Sequence, residues 1–444
     1  MAGEDLERSL GLYPTMMISM GAMIGSGIFV LPALGYKKAG PAVVLAYLLA
    51  AVVVLPPALS KAEMATAMPE SGGTYIYIDR ALGPMFGTIA GIGAWFSLVF
   101  KSSFALVGLG AYLLLFVPIA QSAVTAVALV LGVSIVALNI SGTELSGRIQ
   151  AVIVSLVVVG LAAYTINGGF VADGSRFEPF ASKGPGGVFT AAAFVFVSYA
   201  GVTKIASIAE EVKNPGENLP RAILGSLGIM TVIYVAVVGA IVALNDADVL
   251  EHGGPGGAAS LTPMADGAAL LFGGFGIGLI SVLAVVALIS MANAGVLSSS
   301  RFPLAMSRDN LLPGAFRVIG GRFRTPRNSI LLTGTLLLLL IAFVPVIELA
   351  KLASAFQIVV FSIINVALIV FREANVAYYE PTFSAPGYPY VQVFGLLAGI
   401  GLLTQMGTVP ILGAIGITVG ALAVYFVYGR GRTERTGAIA SIRP

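Results

Sequence analysis

The stretch GAMIGSGIF at residues 21–29 interrupts the first long apolar segment of the chain. Its apolar residues predict a helix inside a membrane, but two glycines flank a serine there. Each glycine in a helix interior costs about 1 kcal/mol relative to alanine. A second stretch, SYAGVT at residues 198–203, places Gly201 in another apolar segment. Such small residues either let two helices pack closely or mark a helix that unwinds, and their positions in the chain help to decide between the two.

The composition excludes a water-soluble globule. The 444 residues are 57% hydrophobic and 10% charged, and the mean hydropathy is +0.97. Soluble proteins carry about 25% charged residues, so there is too little polar surface to cover a body of this size. The shortage of charge also argues against disorder and against a nucleic-acid partner. Cysteine is absent and there is one histidine. We therefore expect no Cys/His metal site and no cofactor.

Apolar windows that are long enough to cross a bilayer, about 20 residues each, recur along the whole chain. They predict an all-α integral membrane protein with twelve transmembrane helices, surrounded by the lipid bilayer. A β-barrel would show alternation over roughly ten residues instead. The predicted spans lie near 11–34, 41–60, 84–112, 122–140, 149–167, 187–209, 222–244, 274–300, 328–346, 352–371, 391–406 and 411–428.

The basic residues are unevenly distributed between the two sides of these spans. With a cytoplasmic N-terminus, 17 of the 24 Lys and Arg residues lie on the cytoplasmic side, five lie outside and two lie within spans. This bias follows the positive-inside rule and is strongest in the loop 301–327. We predict a multi-pass protein with both termini in the cytoplasm. A compact chain without a eukaryotic targeting signal favours the plasma membrane of a prokaryote.

The two glycine stretches fall in spans 1 and 6, and each of these spans is the first in a block of five. Paired interruptions in corresponding halves indicate a transporter built from an inverted repeat. We predict one transmembrane domain over 1–444, with discontinuous helices 1 and 6. Its first repeat covers 1–167, its second covers 187–371, and helices 11 and 12 lie outside the repeat at 391–428.

An unwound helix at the centre of a bilayer exposes backbone groups that lipid cannot satisfy, so these groups must face a cavity. The N-terminus of a half-helix offers N–H groups and a positive dipole end to an anion. The C-terminus of a half-helix offers carbonyls to an ammonium group or a cation. A zwitterionic amino acid carries both charges, and no other class of small solute fits this pair of ends as well. The pattern therefore indicates an amino acid transporter.

Four motifs make the chain resemble the amino acid–polyamine–organocation superfamily of permeases. They are GSGIF at 25–29, PESGGTYIY at 69–77, EEVKNP at 210–215, and, around the end of span 8, Asn293 and Ala294 with SR at 300–301 and DNLLP at 309–313. The second motif is the most specific. The motifs stand in the order and topology of the family, and the resemblance covers nearly the whole chain.

The resemblance implies a binding site for the substrate at the two interruptions. It implies that the substrate carboxylate meets N–H groups around Ser26 and Gly27, and that the α-amino group meets carbonyls near the end of each interrupted helix. The predicted binding residues are Ile24, Gly25, Ser26, Gly27, Ile28, Ser198, Tyr199, Ala200, Gly201 and Val202. The chain departs from some proton-coupled relatives in span 5, where Val157 occupies the position of their lysine.

Two lysines lie inside predicted spans, Lys101 in span 3 and Lys204 directly after the second stretch. A lysine at the bilayer centre costs roughly 2.5–3.5 kcal/mol, and no Asp or Glu lies in the central part of any span. Each lysine either loads a proton or acts as a fixed cation in place of sodium. The structural alternatives are snorkelling, hydrogen bonds to freed carbonyls and, for Lys101, bonds to nearby serines. We hypothesise that Lys204 is the coupling residue, with Lys101 and Thr203 beside it and Ser290 as the candidate for a sodium site.

The leading hypothesis is a proton-coupled, sodium-independent secondary transporter of neutral or acidic amino acids, because two midplane cations disfavour cationic side chains. An exchanger (antiporter) and a transporter-like nutrient sensor stay open as alternatives. A channel would show pore-lining rings of charge. A membrane enzyme would show clustered carboxylates or a nucleophile–base pair, and an ATP-driven pump would show a phosphate-binding loop. The sequence contains none of these three patterns, so we predict no enzymatic activity.

Overall fold

The computed structural model describes residues 8, 10–69, 73–117, 123–142, 147–320, 325–433 and 435–442. Within these residues the regular structure is helical. The α-helices are α1 (Leu12–Met23), α2 (Ser26–Phe29), α3 (Leu31–Ala39), α4 (Val43–Ala67), α5 (Thr74–Leu82), α6 (Pro84–Leu113), α7 (Val124–Ile140), α8 (Gly147–Val171), α9 (Gly184–Val195), α10 (Pro215–Leu244), α11 (Ala247–His252), α12 (Pro263–Arg308), α13 (Arg327–Phe343), α14 (Val346–Ala374), α15 (Tyr390–Thr404) and α16 (Thr408–Val424).

Eight helical segments of the described chain are long and apolar enough to cross a membrane: Leu31–Ala67, Pro84–Leu113, Ile149–Val171, Gly184–Ala206, Pro215–Leu244, Pro263–Arg308, Val346–Ala374 and Thr408–Gly429. Three shorter apolar helices accompany them, Val124–Ile140, Arg327–Phe343 and Tyr390–Thr404. The molecule is thus an all-helical, multi-pass membrane protein. The count of twelve spans and the inverted repeat stay predictions.

Several helices extend beyond the apolar windows that predict them. The helix that covers most of the window 41–60 is Val43–Ala67, which continues seven residues beyond it, and 274–300 lies within Pro263–Arg308. Hydropathy detects only the apolar part of a helix, whereas the backbone hydrogen bonds continue into its polar ends. The long helix α12 is not straight, because Gly273 has a φ of 56° and departs from helical geometry.

The two glycine-bearing segments are joined at one end by backbone hydrogen bonds. The N–H of Leu10, just before α1, donates to the carbonyl of Glu211 at 2.9 Å. The N–H of Lys213 donates back to the carbonyl of Leu10 at 2.8 Å. These bonds form an isolated parallel bridge between Leu10 and Val212. The start of α1 is therefore fastened to the end of the segment that contains Gly201.

A buried ion pair fixes the chain that follows α14 against α4. Glu63, which is fully buried, accepts a hydrogen bond from Arg372 Nε at 2.8 Å and another from the Tyr379 hydroxyl at 3.0 Å. The backbone N–H of Ala385 also donates to this carboxylate, at 2.6 Å. A buried charge is tolerated only when it is paired and hydrogen-bonded. These donors therefore compensate the burial of Glu63 and hold the loop in place.

The C-terminal tail folds back over α5 and the end of α12. Nη1 of Arg435 lies 2.9 Å from Asp309 Oδ1 and 3.8 Å from Asp79 Oδ2. A Cβ added to Gly437 would lie 2.3 Å from the backbone nitrogen of Gly83, so the tail packs directly against the chain between α5 and α6. The arginine thereby lies between two carboxylates of like charge.

We expect Asp79→Asn to remove a pH-dependent loss of stability. Burial, and after it the carboxylate of Asp309, raise the pKa of Asp79 to about 6, although Arg435 and Arg80 act against this rise. A pKa above the ordinary value of 3.8 means that the native state holds the proton more tightly than the unfolded chain does. The resulting stability is lost as the pH rises through about 6.

The measurement is the melting temperature of the detergent-solubilised protein at pH 5 and at pH 7. Relative to Asp79→Asn, which cannot titrate, the wild type should lose on the order of 2 °C or more between these two values. Groups that do not interact with Asp79 titrate equally in both proteins and cancel in the difference. A difference in melting temperature that stays constant over this range would contradict the prediction.

Candidate functional site

The first helix is interrupted inside the GAMIGSGIF stretch. Helix α1 ends at Met23 and α2 begins at Ser26, with Ile24 in an extended conformation between them. Gly25 has φ 157° and ψ −129°, outside helical geometry. A Cβ on Gly25 would lie 2.1 Å from Met291 Sδ, so no larger residue fits there without a shift. The glycine therefore stands where the backbone leaves the helix.

Side chains from other helices satisfy the backbone groups that this interruption frees. In a continuous helix the N–H of Ser26 would bond to the carbonyl of Ala22. Here that N–H donates to Met291 Sδ at 3.3 Å, and Lys101 Nζ donates to the carbonyl of Ala22 at 2.9 Å. Of the structural alternatives for Lys101, the structure thus shows the hydrogen bond to a freed carbonyl. An unsatisfied carbonyl would be costly at this depth.

Two buried tyrosines also bind the interrupted helix. The hydroxyl of Tyr234, on α10, lies 2.7 Å from the carbonyl of Met23 and 3.1 Å from the carbonyl of Ser198. It has one proton and donates it to one carbonyl at a time. The hydroxyl of Tyr47, on α4, donates to the carbonyl of Gly27 at 2.7 Å. Tyr234 therefore connects the two segments that carry the glycine stretches.

The second glycine stretch lies in a helix that is wound more tightly than an α-helix. Helix α9 ends at Val195, and the chain continues as a 3₁₀ helix over Phe196–Glu211. Such helices seldom exceed four residues and often mark a functional segment. Gly201 packs against α1, since a Cβ there would lie 2.5 Å from the carbonyl carbon of Ala22. Gly201 therefore lets two segments pack closely, whereas the first glycine stretch interrupts its helix.

A cavity of about 70 Å³ lies beside the break, between α1, α6, α12, α14 and the 3₁₀ segment. Ala22, Lys101, Gly201, Lys204 and Met291 are among the residues that line it. A single water molecule needs about 10–15 Å³, so the cavity has room for several. None of the acidic residues that the structure describes belongs to its wall. Two lysine side chains therefore line one small cavity.

The cavity wall contains only part of the predicted site. Ala200 and Gly201 line it, as do both lysines. The other predicted binding residues are buried outside its wall: Ile24, Gly25, Ser26, Gly27, Ile28, Ser198, Tyr199 and Val202. At the α1 break, the side chain of Met291 lies where the cavity would otherwise reach these residues. Its sulfur lies against Gly25 and accepts a hydrogen bond from the N–H of Ser26.

Ser290, the predicted candidate for a sodium site, does not belong to the wall. The hydroxyl of Ser290 lies 2.9 Å from Gln150 Oε1 on α8. The side chain of Thr203 lies outside the described part of the chain. Among the predicted coupling residues, Lys101 and Lys204 are therefore the ones that the structure brings to the cavity.

Several residues at the site were not predicted from the sequence, and Met291, Gln357 and Ser354 are examples. Met291 and Gln357 line the cavity. Ser354 marks the change from α to 3₁₀ geometry, since its hydroxyl donates to the carbonyl of Phe194 at 2.7 Å and accepts the N–H of Val197 at 3.1 Å. A methionine or serine in an apolar span carries no local signal. Gln357 is a polar residue inside the membrane helix α14 with apolar neighbours on both sides in the sequence, and that signal could have been used.

The comparison with known families decides the identity. The amino acid permease family model matches residues 10–441, nearly the whole chain. The chain belongs to this family. The predicted resemblance to the amino acid–polyamine–organocation superfamily is thereby confirmed, and the protein is a membrane transporter rather than an enzyme.

Relatives of this permease carry names for different substrates. The branched-chain amino acid permease BcaP of Bacillus subtilis (strain 168) is 30% identical, over 96% of this chain and 94% of the relative. The methylthioribose transporter of the same organism is 29% identical, over 96% and 94%. Cationic amino acid transporter 5 of Arabidopsis thaliana is 29% identical, over 83% of this chain and 66% of the relative. The substrate of this permease must therefore be argued from its own site.

Proposed function

We propose that this permease is a secondary active transporter of neutral or acidic amino acids that works by alternating access. The proposal includes proton coupling, independence from sodium, a plasma-membrane location with both termini cytoplasmic, and the five-plus-five repeat. One observation carries it: Lys101 and Lys204 line a single cavity beside the break in α1. The amino acid family relationship supplies the solute class.

The carboxylate of a substrate finds its partners at the start of α2. The N–H of Ser26 is satisfied only by the thioether of Met291, a weak acceptor, and the Ser26 hydroxyl lies 3.7 Å from the same sulfur. A carboxylate is a much stronger acceptor and is favoured at a helix N-terminus. Entry of a substrate would therefore displace the Met291 sulfur and take these donors. The predicted contact of the carboxylate with Ser26 and Gly27 then follows.

The charge of the cavity favours neutral and acidic side chains. Its two ammonium groups repel each other and repel any further cation at short range. A substrate with a cationic side chain would bring a third positive charge, whereas an acidic side chain would relieve the repulsion.

The same pair of lysines supplies a means of proton coupling. A buried lysine can release and regain its proton, whereas an arginine stays protonated. Loss of a proton from Lys101 would weaken its hold on the carbonyl of Ala22, which lies 2.9 Å away at the break. Proton loading and the geometry of α1 are thereby linked through one hydrogen bond.

The test is uptake of labelled alanine, glutamate and arginine into proteoliposomes. We expect an inward proton gradient to stimulate uptake of alanine or glutamate, and replacement of sodium by potassium to leave it unchanged. Sodium-dependent uptake would contradict the proposed coupling and direct attention to Ser290.

A competition experiment tests the substrate class separately. Unlabelled arginine should inhibit alanine or glutamate uptake at least about tenfold more weakly than the unlabelled substrate does, which corresponds to about 1.4 kcal/mol. Equal inhibition by arginine would show that the two lysines do not exclude cations. That result would overturn the substrate class and leave the transport activity itself intact.

Exchange is the second candidate, and the hydrogen bond of Lys101 favours it. A lysine that permanently holds the carbonyl of Ala22 acts as a fixed structural cation, with no proton to deliver. The protein would then exchange amino acids without net uptake. Exchange with internal amino acid, combined with no effect of the proton gradient, would select this candidate.

A further inference from the structure

A second, larger cavity opens on the lipid-facing side of the helix bundle. It is a groove of about 330 Å³ between α6, α12, α13 and α16. Trp95, Met306, Phe316, Leu332 and Val424 are among the residues of its wall, which is almost wholly apolar. We call it the α16 groove. It shares no lining residue with the cavity at the break, although residues of α6 and α12 line both.

The α16 groove runs toward one end of the bundle. Its wall includes Met306, two residues before the end of α12, and Leu332, five residues after the start of α13. The C-terminal half of α16 closes it as far as Val424, the last residue of that helix. The groove therefore reaches the polar boundary at the ends of these helices.

Arginines are concentrated at this end of the α16 groove. Arg317 directly follows the lining residue Phe316, Arg327 begins α13, and Arg430 and Arg432 follow the end of α16. All four side chains belong to exposed residues. The nearby carboxylate of Asp309 is already paired with Arg435. The mouth of an apolar groove thus carries a surplus of positive charge.

We propose that the α16 groove is a binding site for an anionic phospholipid. One acyl chain lies in the apolar groove, and the phosphate group lies at the arginines of its mouth. Guanidinium groups bind phosphate through charge-assisted hydrogen bonds, and basic sites between helices at a membrane boundary bind anionic headgroups. A zwitterionic lipid carries a positively charged ammonium group that the same arginines repel. The charge of the mouth therefore selects the anionic lipid.

The fluorescence of Trp95 reports on this site, because Trp95 lines the groove and is the only tryptophan of the chain. The indole Nε1 donates to Thr333 Oγ1 at 3.0 Å, which fixes the ring in the groove wall between α6 and α13. Bromine atoms on an acyl chain quench tryptophan fluorescence on contact. The full-length protein is reconstituted in phosphatidylcholine vesicles that contain a small, equal fraction of dibrominated phosphatidylglycerol or dibrominated phosphatidylcholine.

We expect dibrominated phosphatidylglycerol to quench Trp95 at a several-fold lower mole fraction than dibrominated phosphatidylcholine does. The double variant Arg317→Gln/Arg327→Gln should bring the two lipids close to equality. The matched control is Arg221→Gln, which removes an exposed arginine of α10, a helix outside the groove wall. It should leave the preference unchanged.

A second variant tests occupancy of the groove without touching charge. A Cβ at Gly420, a residue of the groove wall, meets no atom within 4 Å. Gly420→Leu therefore places its Cβ in open space, narrows the groove and should reduce quenching by both brominated lipids. Equal quenching by the two lipids, unaffected by the arginine variants, would overturn headgroup selection. Quenching by neither lipid, or quenching that Gly420→Leu leaves unchanged, would overturn the acyl-chain site.

Discussion

Replacing Lys101 with methionine is expected to lower amino acid uptake by about 10- to 100-fold, in both net transport and exchange. Methionine fills a similar volume but donates no hydrogen bond, so the carbonyl of Ala22 loses the partner that it has at 2.9 Å. A buried carbonyl without a partner costs about 1–3 kcal/mol, and each 1.4 kcal/mol is a factor of ten. The cavity also loses one of its two positive charges. Uptake in proteoliposomes is the measurement.

Two further variants separate the roles of the lysines. Lys101→Arg keeps a donor and a charge but cannot release its proton. If Lys101 loads a proton, this variant should retain part of the exchange activity and lose stimulation by the gradient. Lys204→Ala tests the hypothesis that Lys204 is the coupling residue, which predicts exchange without pH-dependent uptake. Unchanged pH-dependent uptake by Lys204→Ala would reject that hypothesis, and unchanged uptake by Lys101→Met would reject the first prediction.

Gly201→Ala is expected to abolish uptake and to lower the melting temperature. The added Cβ would lie 2.5 Å from the carbonyl carbon of Ala22 and 2.6 Å from the backbone nitrogen of Met23. These are backbone atoms at the end of α1, so no side chain can rotate away to make room. Overpacking of this kind typically costs 1–3 kcal/mol, and here it pushes α1 away from the 3₁₀ segment.

The matched control is Gly228→Ala, the same substitution in the membrane helix α10. A Cβ at Gly228 meets no atom within 4 Å, and alanine has the higher helix propensity. This variant should retain full uptake and the melting temperature of the wild type, or a slightly higher one. Gly201→Ala protein with wild-type uptake and melting temperature would show that the contact with α1 is looser than its geometry indicates.

The break in α1 could be predicted from the sequence, because it depends on residues that adjoin each other. Glycine lowers helix stability locally, and Gly25 lies at the break itself. The partners of the freed groups could not be predicted in the same way. Met291 is 265 positions from Ser26, and Tyr234 is 211 positions from Met23. Only the folded bundle brings such residues together.

The conformation around Gly201 shows a different limit of sequence reasoning. A glycine that permits unwinding and a glycine that permits close packing have the same local propensity. The choice depends on a neighbour from another helix, here the backbone of Ala22. The lysines illustrate the intermediate case. Their position inside apolar spans was evident from the sequence, and a freed carbonyl was one of the candidate partners of Lys101, but the structure was needed to select it.

The backbone bridge at Leu10 has a mechanical consequence for the transport cycle. It fastens the start of α1 to the end of the 3₁₀ segment, and Gly201 holds the two together again at Ala22. Segments that are joined at two places cannot move independently of each other. The non-helical backbone at Gly25 lies just beyond the contact at Ala22, so we expect α1 and the 3₁₀ segment to move together about this point during transport. A solute that contacts only one of the two segments would then displace both.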